Sequence, residues 1–147
     1  MKDHRLREKI KKVLENRKDI EERIYDKHGN CEYGLDLLVI KKDIFGKLRA
    51  YGIQIKTGDI KCSGDPNNRI KEIIGQAAIA LGKEIEADGK TYRLEGIYII
   101  TDGEFLGNAK EYLDMASKAL RGLYYLDRQA LEEFFVKYGK EEDEIEP

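Results

Sequence analysis

Two apolar runs separated by a short polar turn limit most strongly how this chain can fold. The first run, GLDLLVIK, covers residues 34–41, and the second, LRAYGIQIK, covers residues 48–56. Both have the length of a strand and are rich in branched side chains, and DIFG between them is typical of an antiparallel connection. The two runs therefore predict a hairpin of two buried neighbouring strands.

Three polar residues interrupt these runs where a plain sheet would carry apolar side chains. They are Asp36, Gln54 and Lys56. Alternate residues of a strand share a face, so Gln54 and Lys56 point the same way, and Asp36 joins them if the strands pair in register. Burying such groups is costly unless they pair with one another or bind a metal.

Two interpretations of these polar residues stay open. In the first, Asp36 and Lys56 form a partly exposed ion pair near a sheet end. In the second, the Asp36 carboxylate, the Gln54 amide oxygen and the Ile55 carbonyl hold a hard cation, a ligand set that suits Mg²⁺. The ion would polarise a phosphoryl oxygen, and Lys56 beside it would orient or deprotonate a metal-bound water.

The rest of the chain predicts alternating helices and strands in the order α-β-β-α-β-α-β-α. Thr101 and Glu104 resemble a capping box that starts the third helix, and Asp127 is the expected N-cap of the fourth. This order is typical of one α/β domain with a mixed sheet between helices. The further elements are predicted as helices over 3–27, 68–85, 101–120 and 127–138 and strands over 92–101 and 122–127. The first stretch is either one helix or two helices divided at residues 16–19, where Asp19 is a plausible N-cap.

Composition restricts the function classes. The net charge of −2 argues against a uniformly basic nucleic-acid binder, yet Met1 to His28 carries ten Lys and Arg against seven Asp and Glu. Cys31 and Cys62 are too few for a disulfide framework or a zinc site, so we expect a reduced, cytoplasmic protein. Residues 1–30 are dominated by charge and contain no apolar stretch long enough for a signal or transmembrane helix, so we expect no membrane association. The frequent Lys, Glu and Ile resemble the composition of heat-adapted proteins.

The motif residues resemble a known family. An Asp followed by a strand with Gln-x-Lys, here GLD at 34–36 and QIK at 54–56, is similar to the Mrr-type branch of the PD-(D/E)xK nucleases. The segment IYIITDGEFLGNAKEYLDMASKALRGLYYLD resembles the C-terminal half of that family. The resemblance implies a restriction-endonuclease-like three-layer domain over residues 1–138, followed by an acidic, disordered tail over 139–147.

The same resemblance implies a DNA endonuclease that depends on Mg²⁺ or Mn²⁺. Asp36, Gln54 and Lys56 would be catalytic, and Asp36, Gln54 and Ile55 would hold the metal. Many relatives add an acid, for which the candidates are Glu32 and a glutamate of the first helix. Glu8 matches best by distance from Asp36, and Glu15 and Glu22 follow at heptad spacing; Gln76 is a further candidate for reaching the site or the phosphate backbone.

Three functional alternatives follow. The chain could cut branched DNA as a homodimer, as archaeal junction resolvases do. It could be a restriction or repair subunit that receives its specificity from a protein partner. It could also be a DNA-binding protein that has lost catalysis, an alternative that the neutral Gln54 and the modest charge support.

Overall fold

The predicted hairpin forms the middle of a mixed sheet in the computed structural model, which describes residues 2–17, 22–27 and 34–145. Six strands pair in the order β1-β2-β3-β5-β4, with β6 also paired to β5. Four α-helices flank the sheet, and a short 3₁₀ turn precedes the second. The elements are α1 (Lys2–Glu15), β1 (Glu22–Asp26), β2 (Leu37–Lys42), β3 (Leu48–Lys56), the 3₁₀ turn (Pro66–Asn68), α2 (Ile70–Gly82), β4 (Glu84–Ala87), β5 (Lys90–Thr101), α3 (Ala109–Ala119), β6 (Leu123–Leu126) and α4 (Arg128–Ile145).

Strand β3 lies between an antiparallel and a parallel neighbour. It pairs with β2 in the register Val39↔Tyr51 and with β5 in the register Gln54↔Ile99. The parallel pairing requires a crossover, which α2 supplies. A second parallel pairing joins β5 to β6 after α3, so the predicted mixed sheet between helices is confirmed.

Each face of the sheet packs against two helices. On one face, side chains of the sheet pack with α2 and α3, as Ile73 and Leu113 show. On the other face, Ile53 and Ile55 of β3 pack with α1 and α4, represented by Ile10 and Leu131. Because side chains alternate along a strand, β3 contributes to both cores and is fixed from both sides.

The first strand corrects a helix prediction. Residues 22–26 are not the end of a helix over 3–27 but the strand β1, antiparallel to β2. Ile24 packs with the core of α1 and α4, whereas its neighbour Tyr25 packs with the core of α2 and α3. This alternation has a period of two, which places successive side chains on opposite faces of a strand and not on one stripe of a helix.

The second correction concerns the segment before β5. The predicted helix over 68–85 ends at Gly82, and Glu84–Ala87 forms β4, antiparallel to β5. Ile85 and Ala87 are buried while the glutamates between them are exposed. Asp88 and Gly89 both have positive φ, as a two-residue hairpin turn requires.

The last helix begins as predicted. The Asp127 carboxylate accepts the Ala130 N–H at 3.0 Å, which confirms Asp127 as its N-cap. The helix continues through Ile145, past its predicted end near Tyr138. The division into a domain over 1–138 and a tail stays a prediction, and none of the helices in the described ranges is long and apolar enough to cross a membrane.

The turn between β2 and β3 depends on Asp43. Its carboxylate accepts the N–H groups of Phe45 (2.8 Å) and Lys47 (3.0 Å) and the Nε–H of Arg49 (3.1 Å). The hydrogen bond from the Lys47 N–H, with those from Phe45 and Arg49, lowers the pKa of Asp43 below its usual value. The ionised carboxylate therefore stabilises the hairpin.

We expect Asp43→Asn to flatten the acid side of the stability curve. A folded-state pKa below the unfolded value of about 3.9 stabilises the protein above that pH, and the contribution is lost as pH falls through the folded pKa. Urea unfolding of wild type and variant between about pH 2 and pH 7 measures this. An identical loss of stability in both proteins at low pH would contradict the role of Asp43.

Candidate functional site

Asp36 joins the ends of three strands. Its N–H donates to the Ile53 carbonyl of β3 at 2.8 Å, and its own carbonyl accepts the Lys27 N–H at 2.8 Å, just after β1. The side chain is only 8% exposed, and its Oδ2 accepts the Ile55 N–H at 2.7 Å. The acid predicted from sequence is therefore buried at the strand ends and bonded to the backbone of β3.

The Ile55 backbone faces Asp36. The N–H and C=O of one strand residue point to the same side of the strand. Since the Ile55 N–H reaches Asp36, the Ile55 carbonyl also lies on the Asp36 side of β3. The Ile55 side chain packs into the core of α1 and α4, so only its backbone can serve a site here.

Gln54 is the most completely buried polar residue of the three. Its side chain is 0% exposed and faces α2, where its Nε2 donates to Gln76 Oε1 at 2.9 Å. The other amide atom, Oε1, is buried and accepts no hydrogen bond within the residues that the structure describes. A buried acceptor left in this way costs about 1–3 kcal/mol, so Oε1 is available to a ligand that brings positive charge or a donor.

Gly34 makes room for the two glutamines. A Cβ at this position would lie 2.5 Å from Gln76 Oε1 and 2.6 Å from Gln54 Nε2, and the residue has φ +77°. The positive φ favours glycine, and an added Cβ would force the ends of the two amide side chains to shift. The glycine of the GLD motif thus has a structural role that sequence reasoning did not assign.

Lys56 ends β3 and is half-buried. It lies on the same face as Gln54, since the two are alternate residues of one strand. Asp36 directly precedes the paired part of β2, and its bonds to the Ile53 carbonyl and the Ile55 N–H place it beside the stretch of β3 that contains Gln54. Regular alternation is interrupted here, because Leu35 and Leu37 lie in opposite cores. That Asp36 shares the face of Gln54 and that its carboxylate meets Lys56 stay predictions.

The loop after β3 is held to the end of β5. Buried Thr101 donates its hydroxyl to the Gly58 carbonyl at 2.5 Å and accepts the Gly103 N–H at 3.0 Å. Asp102 Oδ1 accepts the Gly58 N–H at 2.7 Å. These bonds fix the backbone that follows Lys56.

The predicted capping box at Thr101 is therefore wrong. The Thr101 hydroxyl is used between the two loops, and the Glu104 N–H donates to Asp59 Oδ1 at 2.9 Å. Helix α3 begins only at Ala109. A buried threonine at a strand end, followed by Asp-Gly, was the available signal for this connection, and sequence reasoning missed it.

The candidate additional acids have different positions. Glu32 lies outside the described residues. Glu8 and Glu15 are exposed on α1, which packs on the sheet face opposite Gln54. Glu22 is not on the first helix: it opens β1 opposite Lys41, at the far end of the strand from the Asp36 site.

Asp26 is the acid of β1 nearest to Asp36 in the sheet, where it pairs with Leu37. Its carboxylate lies 2.6 Å from Lys11 Nζ and 3.6 Å from Arg7 Nε, both on α1. This ion pairing raises the pKa of Lys11, chiefly through the hydrogen bond to Asp26. Asp26 is thus engaged on the α1 side and serves as a comparison for Asp36.

The described ranges contain no cluster of three or more His, Cys, Asp or Glu side chains that could hold a metal. The oxygens gathered here are of mixed type: one carboxylate, one amide and one backbone carbonyl. Hard cations bind such oxygens, and Gln54 Oε1, which has no hydrogen-bond partner among the described residues, is suited to act as a ligand.

Comparisons with known proteins add no family assignment. No family model, no curated protein and no solved structure matches the chain.

The glutamine pair predicts a specific glycine requirement. Gly34→Ala should destabilise the protein by about 1–3 kcal/mol, because the methyl group meets both amides and φ is positive. Gly46→Ala is the matched control: it has φ +78° and nothing within 4 Å of the added Cβ, so it carries only the backbone cost of about 1 kcal/mol. Equal losses in urea unfolding would show that the amides do not depend on Gly34.

Proposed function

We propose that this chain is a divalent-metal-dependent DNA endonuclease of the restriction-endonuclease-like, Mrr-type kind. The observation that carries the proposal is Gln54: a fully buried amide whose Oε1 has no partner in the described structure, beside the buried carboxylate of Asp36. A stable core would replace such an amide with an apolar side chain. Coordination of a bound cation would account for the buried Gln54 Oε1.

Asp36, Gln54 and the Ile55 carbonyl would hold the ion, Mg²⁺ or Mn²⁺. When bound, it supplies Lewis-acid polarisation of a phosphate oxygen and a more acidic water. The protein keeps the oxygens in place through the Ile55 N–H bond to Asp36 and the Gln76 bond to Gln54. Gln76 therefore acts as a positioning residue for the Gln54 amide.

Lys56 would hold and move protons beside these oxygens. Its ammonium, on the Gln54 face, can orient the attacking water and offset charge that develops on the phosphate. The Thr101–Gly58 bond restrains the chain directly after it. Restraint of this kind matters, because a general acid or base must be within hydrogen-bond reach of its proton.

DNA is the proposed substrate, and a homodimer with two sites the proposed assembly. The positive charge of the N-terminal region and the hairpin supports binding of a polyanion. Partner-supplied specificity and DNA binding without cleavage remain the alternatives that experiment separates.

Metal binding tests Asp36 first. Asp36→Asn keeps an oxygen for the Ile55 N–H but removes the negative charge, so Mn²⁺ binding measured by calorimetry should weaken about tenfold or more. Asp26→Asn removes an equal charge from the neighbouring strand and should leave binding unchanged. Unaltered Mn²⁺ affinity in Asp36→Asn would move the metal away from this site.

Lys56→Ala tests catalysis. Loss of a positioned proton-transfer group should slow cleavage about 10²–10⁴-fold while metal binding and fold persist. If Lys56 only pairs with Asp36, the change should cost at most about 1 kcal/mol of stability and leave cleavage intact. Nicking of supercoiled plasmid and cutting of a four-way junction, each with Mg²⁺ and Mn²⁺, provide the rates.

Lys61→Ala is the matched control, since Lys61 is an exposed lysine of the loop that follows Lys56. Cleavage that falls equally in both variants would indicate a general loss of DNA affinity and not catalysis. Metal binding without cleavage of any DNA by the wild type would favour a non-catalytic or partner-dependent protein.

A further inference from the structure

A cavity of about 280 Å³ lies on the sheet face opposite Gln54. Its floor is the sheet, including Val39, Ile53 and Ile100, and its walls come from Leu14 of α1 and Phe134 of α4. These side chains belong to, or pack against, the core beneath the two helices. The cavity is therefore mainly apolar, and it opens to solvent between the sheet and the two helices.

Four polar side chains complete the lining: Arg17, Lys41, Tyr51 and Tyr98. Lys41 Nζ lies 5.4 Å from the centre of the Tyr51 ring. The Arg17 guanidinium lies over the Tyr138 ring at 3.9 Å. Positive charge thus borders an apolar space.

The two tyrosines bring flat surfaces and hydroxyl groups. Tyr98 stacks on Tyr124 with ring centroids 5.0 Å apart. Burial raises the pKa of Tyr98, which keeps its hydroxyl protonated and able to donate. Within the described chain, neither the Tyr51 nor the Tyr98 hydroxyl has a hydrogen-bond partner, so both can serve a bound molecule.

We propose that this cavity binds a small aromatic anion, such as an aryl carboxylate or sulfonate. Ligand cavities combine an apolar lining with a few convergent polar groups, and about 280 Å³ is near the lower end of their sizes. The aromatic floor favours a planar ring, while Lys41 and the hydroxyl groups favour an acidic substituent. The proposal does not depend on nuclease activity, because none of the residues proposed to hold the metal or to act in catalysis lines the cavity.

Titration of the full chain with 2-naphthalenesulfonate tests this, with calorimetry for affinity and amide chemical shifts for location. We expect one saturable site, with shifts concentrated at Tyr51, Ile53 and Tyr98. Lys41→Gln should weaken binding about tenfold, as expected for one charge-assisted hydrogen bond. The neutral analogue 2-naphthol should bind both proteins alike.

Lys47→Gln is the matched control: it removes the same charge from an exposed position in the β2–β3 turn, outside the cavity. It should leave naphthalenesulfonate affinity unchanged. Leu14→Trp should fill the cavity and abolish binding of both compounds, with thermal unfolding as the check on the fold.

Three results would overturn the proposal. One is the absence of naphthalenesulfonate binding to the wild type at millimolar concentration. Another is equal weakening by Lys41→Gln and Lys47→Gln, which would mean non-specific attraction to positive charge. The third is an affinity that Lys41→Gln leaves unchanged, which would make the cavity an apolar site without anion selectivity.

Discussion

Burial of β3 on both faces is the constraint on which the rest of the structure depends. The strand is hydrogen-bonded to β2 on one edge and to β5 on the other, and its two faces pack into the two hydrophobic cores. Each side chain in the second half of β3 faces one of the two cores. A shift of the strand by one residue would move Ile53 and Ile55 away from α1 and α4 and would turn the Gln54 amide toward these helices. The cost of burying that amide in an apolar core therefore fixes the register.

The same constraint makes Gln54 informative. A polar side chain in a strand buried on both faces gains little stability even when all its hydrogen bonds are made. Among the described residues, Gln54 bonds through its Nε2 to Gln76, and its Oε1 has no partner. The chain also places a glycine with positive φ at position 34 to accommodate this pair. A buried amide with an unsatisfied oxygen and a glycine with positive φ beside it are both unfavourable for stability. Such features are typical of a functional site and not of a core selected for stability.

The central elements were predictable because their patterns are long and unambiguous. The hairpin strands, α2 and the second half of β5 each carry a sustained apolar period, and Asp127 stands directly before a helical stripe. Strand β1 was missed because Ile20 and Ile24 have helical spacing after α1, although the pairing with β2 decides the structure. Strand β4 was missed because its four residues follow a helical stripe without an early breaker other than Gly82.

From the sequence, only the part of the site that follows from the alternation of side chains along a strand could be predicted. Alternation places Gln54 and Lys56 on one face of β3. It does not place Asp36, because the neighbours Leu35 and Leu37 lie in opposite cores. The Ile55 N–H bond to Asp36, the Gln76 contact and the loop bonds of Thr101 depend on how α2 and the loop ends approach the sheet. No periodicity in the sequence encodes those approaches.

The two faces of β3 also separate two kinds of chemistry. Toward α2, the strand presents the Gln54 amide and the Lys56 amine, groups suited to oxygen ligation and proton transfer. Toward α1 and α4, Ile53 contributes to an apolar cavity with positive charge at its border. Because the Ile53 carbonyl accepts the Asp36 N–H, one residue of β3 contacts both regions, and the rigidity that positions Asp36 also shapes the cavity floor.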